Sequence, residues 1–267
     1  MAKSAYEYVK AFEQDDTLLP ECWIVVRLDG KGFTRFCSVH GFEKPNDLRG
    51  LSLMDDAALE VARLFPDIRV AYGESDEYSF VFHPGTVVYG RRASKLVSLV
   101  TSCFSASYVR LWPRRFGTLE LRETPIFDGR AVCYPTLKSL RDYLSWRQVD
   151  THVNNLYNTA FWALVQSGQT TVQAHDALKG TRSDVKNEIL FSQFGINYNN
   201  LPERFRKGSV VIRAPVQALP AGEDGDAASE PRRTKKTSRV AYELQVVHVD
   251  IIKDAFWAAY PHLLATV

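Results

Sequence analysis

The chain has 267 residues, enough to bury a sizeable core as one large domain or as a domain with an extension. With 45% hydrophobic and 24% charged residues it is not globally disordered, and a net charge of +2 neither indicates nor excludes a nucleic-acid partner. The four cysteines lack zinc-site spacing, which predicts free thiols. The first residues, MAKSAYEYVKAFEQDD, are charged and lack the apolar core expected of a signal peptide, and no apolar run approaches the roughly 20 residues of a membrane helix. We therefore predict a soluble intracellular protein, located in the cytoplasm and/or the nucleus.

The first half of the sequence predicts two strand–helix–strand units in succession. Apolar runs, helical spacing and turn residues assign the elements. In chain order these are a strand at 23–28, a helix at 45–65, strands at 68–72 and 78–82 around a turn at 73–77, a helix at 90–111, and short strands near 119–122 and 131–133. This order is that of the ferredoxin-like, split βαβ arrangement. We predict an α+β fold class, with helices on an antiparallel sheet.

The second half is predominantly helical and ends with a β-hairpin. Helices are predicted at 137–148, 151–166, 172–178 and 183–194, followed by strands at 209–216 and 238–249. Between these strands, residues 218–237 are rich in Gly, Ala, Pro and charge, which predicts a mobile loop. We divide the chain into a first domain at 1–135 and an extension at 136–267 that packs on it.

Two aspartates are candidates for metal binding. Asp29 ends the first strand, on the same face as Arg27, and Asp76 lies with Glu77 in the hairpin turn. Neighbouring carboxylates repel each other unless a cation lies between them. Mg²⁺ prefers such oxygen ligands, and two ions can stabilise the attacking and leaving oxygens of a phosphoryl displacement. The alternative is that both aspartates are turn residues present for backbone reasons.

The residues after Asp29 suggest a phosphate cradle. Gly30-Lys31-Gly32-Phe33-Thr34 combines two glycines and a lysine directly after a strand, where backbone amides can surround an anion. The segment does not match the P-loop pattern, so this signal is weak by itself.

Basic residues cluster around the second predicted helix. Residues 90–115 contain no acid but six cations, namely Arg91, Arg92, Lys95, Arg110, Arg114 and Arg115. Arg91 and Lys95 share the first turns of the predicted helix, where cations oppose the helix dipole unless an anion binds there. The alternative is a solvated charged face. Arg130 lies in a predicted turn, where an ordinary solvated turn residue is an equal alternative to a phosphate-binding one.

A polar stripe lies on a predicted helix of the second half. His152, Asn155 and Thr159 share one face of a helix that also carries Phe161 and Trp162, which suggests a surface that reads a ligand. A lone histidine is more often structural, and no Ser/His/Asp set is evident.

Taken together, these segments resemble the tRNA-histidine guanylyltransferase family. The resemblance is carried by MAKSAYEYVK (1–10), RLDGKGFTRF (27–36), AYGESDEYSFVF (71–82), FDGRAVCYP (127–135), HVNNLYNTAFWAL (152–164) and KNEILFSQFGINYN (186–199). The length and the insertion at 218–237 are similar to those of a eukaryotic member.

The resemblance implies an enzyme that extends histidine tRNA in the 3′–5′ direction. In this family ATP adenylylates the 5′ phosphate of the tRNA, the 3′ hydroxyl of GTP then expels AMP, and pyrophosphate is removed last. It also implies that the first domain is a polymerase-palm-like catalytic domain, and that the protein is a homotetramer.

The resemblance also implies roles for individual residues. Two Mg²⁺ ions would be held by Asp29, Asp76 and the carbonyl of Gly30. The nucleotide would be contacted by Lys31, Gly32, Phe33, Thr34 and Ser75. Phosphates would be bound by Arg27, Lys95 and Arg130. Glu77 would ligate a metal or shape the turn. The tRNA-handling region would contain His152, Asn155 and Lys186.

Three alternatives remain at this point. A nucleotide cyclase uses a similar sheet and carboxylate pair, but has no obvious use for the helical half. A non-catalytic RNA-binding protein would not need both aspartates. A template-dependent polymerase that repairs the 5′ ends of several tRNAs is the closest rival.

Overall fold

The computed structural model describes residues 4–215 and 241–265, which form one six-stranded sheet with helices on both faces. The strands are β1 (Trp23–Gly30), β2 (Ile68–Glu74), β3 (Glu77–Phe82), β4 (Phe127–Tyr134), β5 (Ser209–Pro215) and β6 (Tyr242–Val247). The α-helices are α1 (Phe33–Val39), α2 (Leu48–Leu64), α3 (Ala93–Phe116), α4 (Leu137–Gln166), α5 (Thr171–Leu178), α6 (Ser183–Phe194), α7 (Glu203–Lys207) and α8 (Asp254–Ala259). No helix in this described part is long and apolar enough to cross a membrane.

The sheet has the strand order β4-β1-β3-β2-β5-β6, and every neighbouring pair is antiparallel. The prediction of an α+β protein with an antiparallel sheet is therefore confirmed. The predicted hairpin of the second half is β5 and β6, which continue the sheet beyond β2. The predicted loop at 218–237 lies outside the described residues.

Side-chain alternation divides the core into two layers on either side of the sheet. On one face, Val26 and Leu28 of β1 pack with α2 and α3. On the other face, Val25 of β1 and Val81 of β3 pack with the first half of α4 and with α8. A third cluster joins the second half of α4 to α5 and α6. Helix α4 thus contacts both the sheet and the helical half.

Helix α4 is one continuous helix of 30 residues, about 45 Å long at 1.5 Å per residue. Two separate helices were predicted here, at 137–148 and 151–166, and this prediction is wrong. Val149 and Asp150 lie between them, and neither is a helix breaker. The helix begins with a capping box between Thr136 and Ser139.

The predicted strand near 119–122 is also absent. Residues 117–126 connect α3 to β4 without regular structure, and side chains satisfy part of their backbone. The indole of Trp112 donates to the carbonyl of Leu119 at 2.7 Å, and the amide of Arg122 donates to the imidazole of His40 at 2.9 Å. Apolar side chains in this segment pack on the core, which explains the strand-like pattern.

Strands β1 to β3 are longer than predicted. Strand β1 continues through Asp29 and Gly30, so the interpretation of these two residues as a turn is wrong. Strand β2 extends to Glu74 and strand β3 begins at Glu77. This leaves a turn of only two residues, Ser75 and Asp76. Ser75 has a φ of 47°, a conformation that costs free energy for a residue other than glycine.

Candidate active site

Four carboxylates form a row across four strands. Glu74 pairs with Glu77, Glu77 with Asp29, and Asp29 with Asp128, from β2 through β3 and β1 to β4. Directly paired residues point to the same face of a sheet, and like charges in such positions destabilise it. The row therefore needs positive charge.

Arg147 of α4 provides most of that charge. Its guanidinium lies 2.8 Å from Glu74 Oε1, 2.8 Å from Glu77 Oε1 and 2.6 Å from Asp150 Oδ2. Arg27 Nε lies 3.8 Å from Glu77 Oε2, so Glu77 sits between two cations. The sequence analysis missed Arg147. Its spacing of three and four residues from Leu144 and Tyr143 places it on the buried stripe of α4, where a charged residue is a signal.

Asp29 is the acid in this row that lacks a cationic partner. At the far end, Asp128 is 3.5 Å from Arg130. Asp76 lies next to Asp29, because the amide of Gly30 donates to the carbonyl of Asp76 at 3.0 Å. Within residues 4–215 and 241–265, neither Asp29 nor Asp76 forms an ion pair with a side chain. Burial raises the pKa of Asp76, and the charge of Asp29 raises it further. Two adjacent carboxylates without a counter-ion fit a divalent cation.

Gly30 allows the close approach that joins the two aspartates. A Cβ atom at this position would lie 2.4 Å from the Phe33 ring and 2.9 Å from the Cβ of Asp76, both closer than real contacts. The Phe33 ring is fixed by Phe36 and Phe127, with centroids 4.8 and 5.0 Å away. Any larger residue at Gly30 would push Asp76 away from Asp29.

The carboxylate pair opens into a cleft of about 970 Å³ between the sheet, α2 and α4. This volume is at the upper end of what small-molecule sites occupy. Predicted site residues that line the cleft are Arg27, Asp29, Phe33, Thr34, Ser75, Asp76, Glu77 and Asn155. Lys31 and Gly32 are exposed in the turn that leads into α1.

Lys95 and Arg130, predicted to bind phosphate, do not line this cleft. Lys95 is exposed in the first turn of α3, and its ammonium lies 5.3 Å from the centre of the Tyr89 ring. Arg130 pairs with Asp128, and both side chains are more than half exposed, at 52% and 61%. Such an exposed ion pair stabilises little, so Arg130 can exchange its partner for a phosphate.

The interpretation of Arg91 as a phosphate-binding residue at a helix start is wrong. Arg91 precedes α3 and is buried. Its guanidinium donates to the backbone carbonyls of Leu18, Leu19, Cys22, Pro84 and Thr86. Three of these carbonyls, those of Leu18, Leu19 and Cys22, come from a distant segment that the local sequence could not reveal.

Three other cations of the basic cluster have acidic partners from elsewhere in the chain. The pairs are Arg92 with Asp16, Arg110 with Glu60, and Arg115 with Asp56. The cluster is therefore less available to phosphates than its sequence suggests.

The polar stripe of α4 is only partly a surface. Asn155 and Thr159 are 6% and 5% exposed, so the prediction of an exposed polar face is wrong for them. Asn155 donates to the Tyr198 hydroxyl at 3.0 Å and accepts from Asn46 at 2.9 Å. His152 is half-buried, and burial lowers its pKa with smaller contributions from two nearby cations.

Lys186, also predicted to bind tRNA, is half-buried on α6. Its ammonium donates to the carbonyl of Thr181 at 2.7 Å. The structure thus places Lys186 on a different helix from His152 and Asn155, and the roles of all three in tRNA binding stay predictions.

Without divalent cations, the folded state is expected to lose stability as the pH rises from about 4.5 to about 7. Burial raises the pKa of Glu77 to about 7, against an ordinary value of 4.5. A raised pKa gives stability that is complete below the unfolded-state pKa and is lost as the pH rises through the folded-state pKa. The change is up to about 3 kcal/mol. The measurement is the free energy of unfolding in EDTA at pH 5 and pH 8, for the wild type and Glu77→Gln. Equal pH dependence in the two proteins would contradict this prediction.

Family models match most of the chain. The model described as tRNAHis guanylyltransferase matches residues 6–135, and the Thg1 C-terminal domain matches residues 138–253. The chain belongs to the tRNA(His) guanylyltransferase family. The predicted membership is confirmed, as is the prediction of a nucleotidyltransferase.

Relatives of this family match along the whole length. A probable tRNA(His) guanylyltransferase from Dictyostelium discoideum is 52% identical and is covered over 100% of both chains. A tRNA(His) guanylyltransferase from Neurospora crassa is also 52% identical, over 99% of this chain and 97% of the relative. The family relationship therefore covers both halves of the chain, including the half that contains the insertion at 218–237.

Solved structures of the family share the fold. The crystal structure of the tRNA(His) guanylyltransferase from Saccharomyces cerevisiae is 49% identical, with a TM-score of 0.74 over 77% of this chain and 91% of that chain. A bacterial Thg1-like protein in complex with ATP is 19% identical, with a TM-score of 0.72 over 97% and 96%. A related bacterial structure contains GTP and has a TM-score of 0.64, at 18% identity over 97% and 96%.

Proposed function

We propose that this protein adds a guanylate to the 5′ end of histidine tRNA, in the 3′–5′ direction. The observation that carries the proposal is the Asp29 and Asp76 pair, which has no cationic side-chain partner in the described structure and opens into a cleft. The names of the relatives indicate histidine tRNA as the substrate. The ATP and GTP in the bacterial structures support nucleotide substrates.

Two Mg²⁺ ions fit the proposed chemistry. Asp29, Asp76 and the Gly30 carbonyl would hold them, on a sheet that we interpret as palm-like. Bound there, the ions would stabilise charge on the attacking and leaving oxygens of a phosphoryl displacement. The raised pKa of Asp76 supports this assignment, because a cation would restore the ionised form.

The reaction has three steps. A 5′ phosphate oxygen of the tRNA attacks the α-phosphate of ATP and releases pyrophosphate. The 3′ hydroxyl of GTP then attacks the activated 5′ phosphate and releases AMP. Hydrolysis finally removes pyrophosphate from the added nucleotide. Arg27 would neutralise phosphate charge in the cleft, with Thr34 and Ser75 beside it.

The proposed function is tested with labelled ATP and GTP and two tRNAs that differ only in the anticodon. We expect wild-type protein to guanylylate histidine tRNA and to discriminate against the changed anticodon. His152→Ala and Lys186→Ala should reduce this discrimination by roughly 1–3 kcal/mol, because reading of single-stranded bases has that magnitude. Equal use of both tRNAs by the wild type would favour a 5′-repair polymerase instead.

Loss of Lys95 is expected to impair selectively the activation step, in which ATP adenylylates the 5′ phosphate of the tRNA. Lys95→Ala should slow guanylate addition to a 5′-monophosphorylated tRNA by roughly 10²–10³-fold, because removing one preorganised donor to a developing charge has about that effect. A 5′-triphosphorylated tRNA needs no ATP and should be affected less. Lys138→Ala removes another exposed lysine, outside the cleft, and serves as the control. Equal losses on both tRNAs would assign Lys95 to another step.

The homotetramer and the location in the cytoplasm and/or nucleus also remain parts of the proposal. All four cysteines are free in the structure, which supports a reducing compartment.

A further inference from the structure

Arg147 contacts the residues on both sides of the turn that carries Asp76. Glu74 ends β2, Glu77 begins β3, and only Ser75 and Asp76 lie between them. One guanidinium contacts both carboxylates at 2.8 Å. The side chain of Arg147 is 6% exposed, so these contacts are formed away from water.

We propose that Arg147 is a positioning residue that keeps Glu74 and Glu77 away from the metal ions, so that Asp29 and Asp76 are the carboxylates left to hold them. The inference deepens the proposed function and rests on it. Without Arg147, a cation at Asp29 and Asp76 would also encounter Glu77 and Glu74, which follow Asp29 in the row of carboxylates. Arg147 therefore decides which carboxylates are available to a metal.

The guanidinium suits this role because its donors have a fixed planar geometry. Its position is fixed in turn by contacts one helical turn away on each side. Tyr143 and Ser79 hydroxyls lie 2.6 Å apart, as do those of Thr151 and Tyr72, so α4 is tied to both β3 and β2. The Trp146 ring also stacks on the guanidinium, 4.2 Å away.

The first experiment measures steady-state guanylate addition by Arg147→Met and Arg147→Lys. For Arg147→Met we expect a fall in kcat of roughly 100-fold with little change in KM, because small displacements of reacting groups have effects of this size. Arg147→Lys keeps the charge but not the planar geometry, so its loss should be smaller. The control is Arg141→Met, which removes another cation of α4, one that pairs with Asp254 of α8. This variant should retain activity.

The second experiment measures Mn²⁺ binding by electron paramagnetic resonance, without tRNA or nucleotide. If Arg147 withholds Glu74 and Glu77, Arg147→Met should bind Mn²⁺ more tightly or bind an additional ion. Adding Glu74→Gln to Arg147→Met should reverse part of this gain. Weaker or unchanged Mn²⁺ binding by Arg147→Met would overturn the proposal.

Two further outcomes are decisive. A raised KM with unchanged kcat would make Arg147 a substrate-binding residue and overturn the proposal. If Arg147→Met does not fold, as judged by circular dichroism, Glu74→Gln and Arg147→Lys are compared in the same Mn²⁺ assay, where Arg147→Lys should show the gain. If the wild type lacked guanylate addition, the proposed function would fail, whereas the Mn²⁺ comparison would still test the role of Arg147.

Discussion

Replacing Asp29 with asparagine is expected to lower guanylate addition by at least about 10³-fold, and Asp76→Asn should do the same. Metal ions supply several kcal/mol of stabilisation to the charge of a phosphoryl-transfer transition state, and 10³-fold corresponds to about 4 kcal/mol. The isosteric amide removes the charge that binds the ion and keeps the shape of the side chain. The measurement is single-turnover addition at saturating Mg²⁺.

The same variants should fold normally. In the absence of metal, Asp29→Asn relieves repulsion with Glu77 and Asp128, so the free energy of unfolding in EDTA should stay constant or rise. Asp142→Asn removes an exposed acid from α4 and controls for loss of one negative charge. Near-normal turnover of Asp29→Asn in Mg²⁺ would refute the assignment of the metal site.

Replacing Arg204 with methionine is expected to destabilise the protein by about 3–5 kcal/mol at neutral pH. Arg204 of α7 forms an ion pair with Asp55 of α2, which is only 4% exposed and also accepts from Tyr78 at 2.9 Å and Ser209 at 3.1 Å. Removing Arg204 leaves a buried negative charge without a counter-charge. The loss is a large fraction of the 5–15 kcal/mol that typically separates folded and unfolded states. Denaturant unfolding at pH 7 measures it.

The pH dependence of this loss identifies its cause. Burial already raises the pKa of Asp55, and Arg204 opposes that rise. Without Arg204 the folded-state pKa should rise further, so the variant is most stable below the ordinary pKa of 3.8 and loses stability as the pH rises above it. Adding Asp55→Asn should restore most of the stability at pH 7.

A matched control is available on the same helix. Arg206→Met removes a hydrogen bond to the carbonyl of Leu201 at 2.8 Å and should cost only about 1 kcal/mol. If Arg204→Met costs no more than Arg206→Met, or costs the same at every pH, the buried charge is not the cause.

Much of the fold was predictable from local patterns. Helix α6 was predicted with the bounds that the structure has, and α5 within one residue. Strand β1 and the hairpin were located correctly, but their ends were misplaced by one or two residues. Ends are hard to predict because pairing with a neighbouring strand, not local preference, keeps Asp29 and Gly30 extended.

The candidate site was predictable in part. Asp29 and Asp76 were identified from their positions at a strand end and in a turn, and the resemblance to a family supplied their proposed role. Glu77 could not be interpreted, because the two cations that surround it, Arg27 and Arg147, come from different elements. Arg91 was misinterpreted because three of its five carbonyl partners lie about 70 positions earlier in the chain.

By itself, the sequence determined the family, the α+β class, the helices with strong periodicity and the two aspartates, since each depends on residues close together in the chain. Only the tertiary structure decided which charges neutralise each other. Strand register places Glu74, Glu77, Asp29 and Asp128 in one row, and the packing of α4 brings Arg147 to two of them. Apart from the neighbouring Glu74 and Glu77, these contacts join residues separated by about 50 to 100 positions. Electrostatic interactions depend on distance and burial in space, which local sequence does not specify.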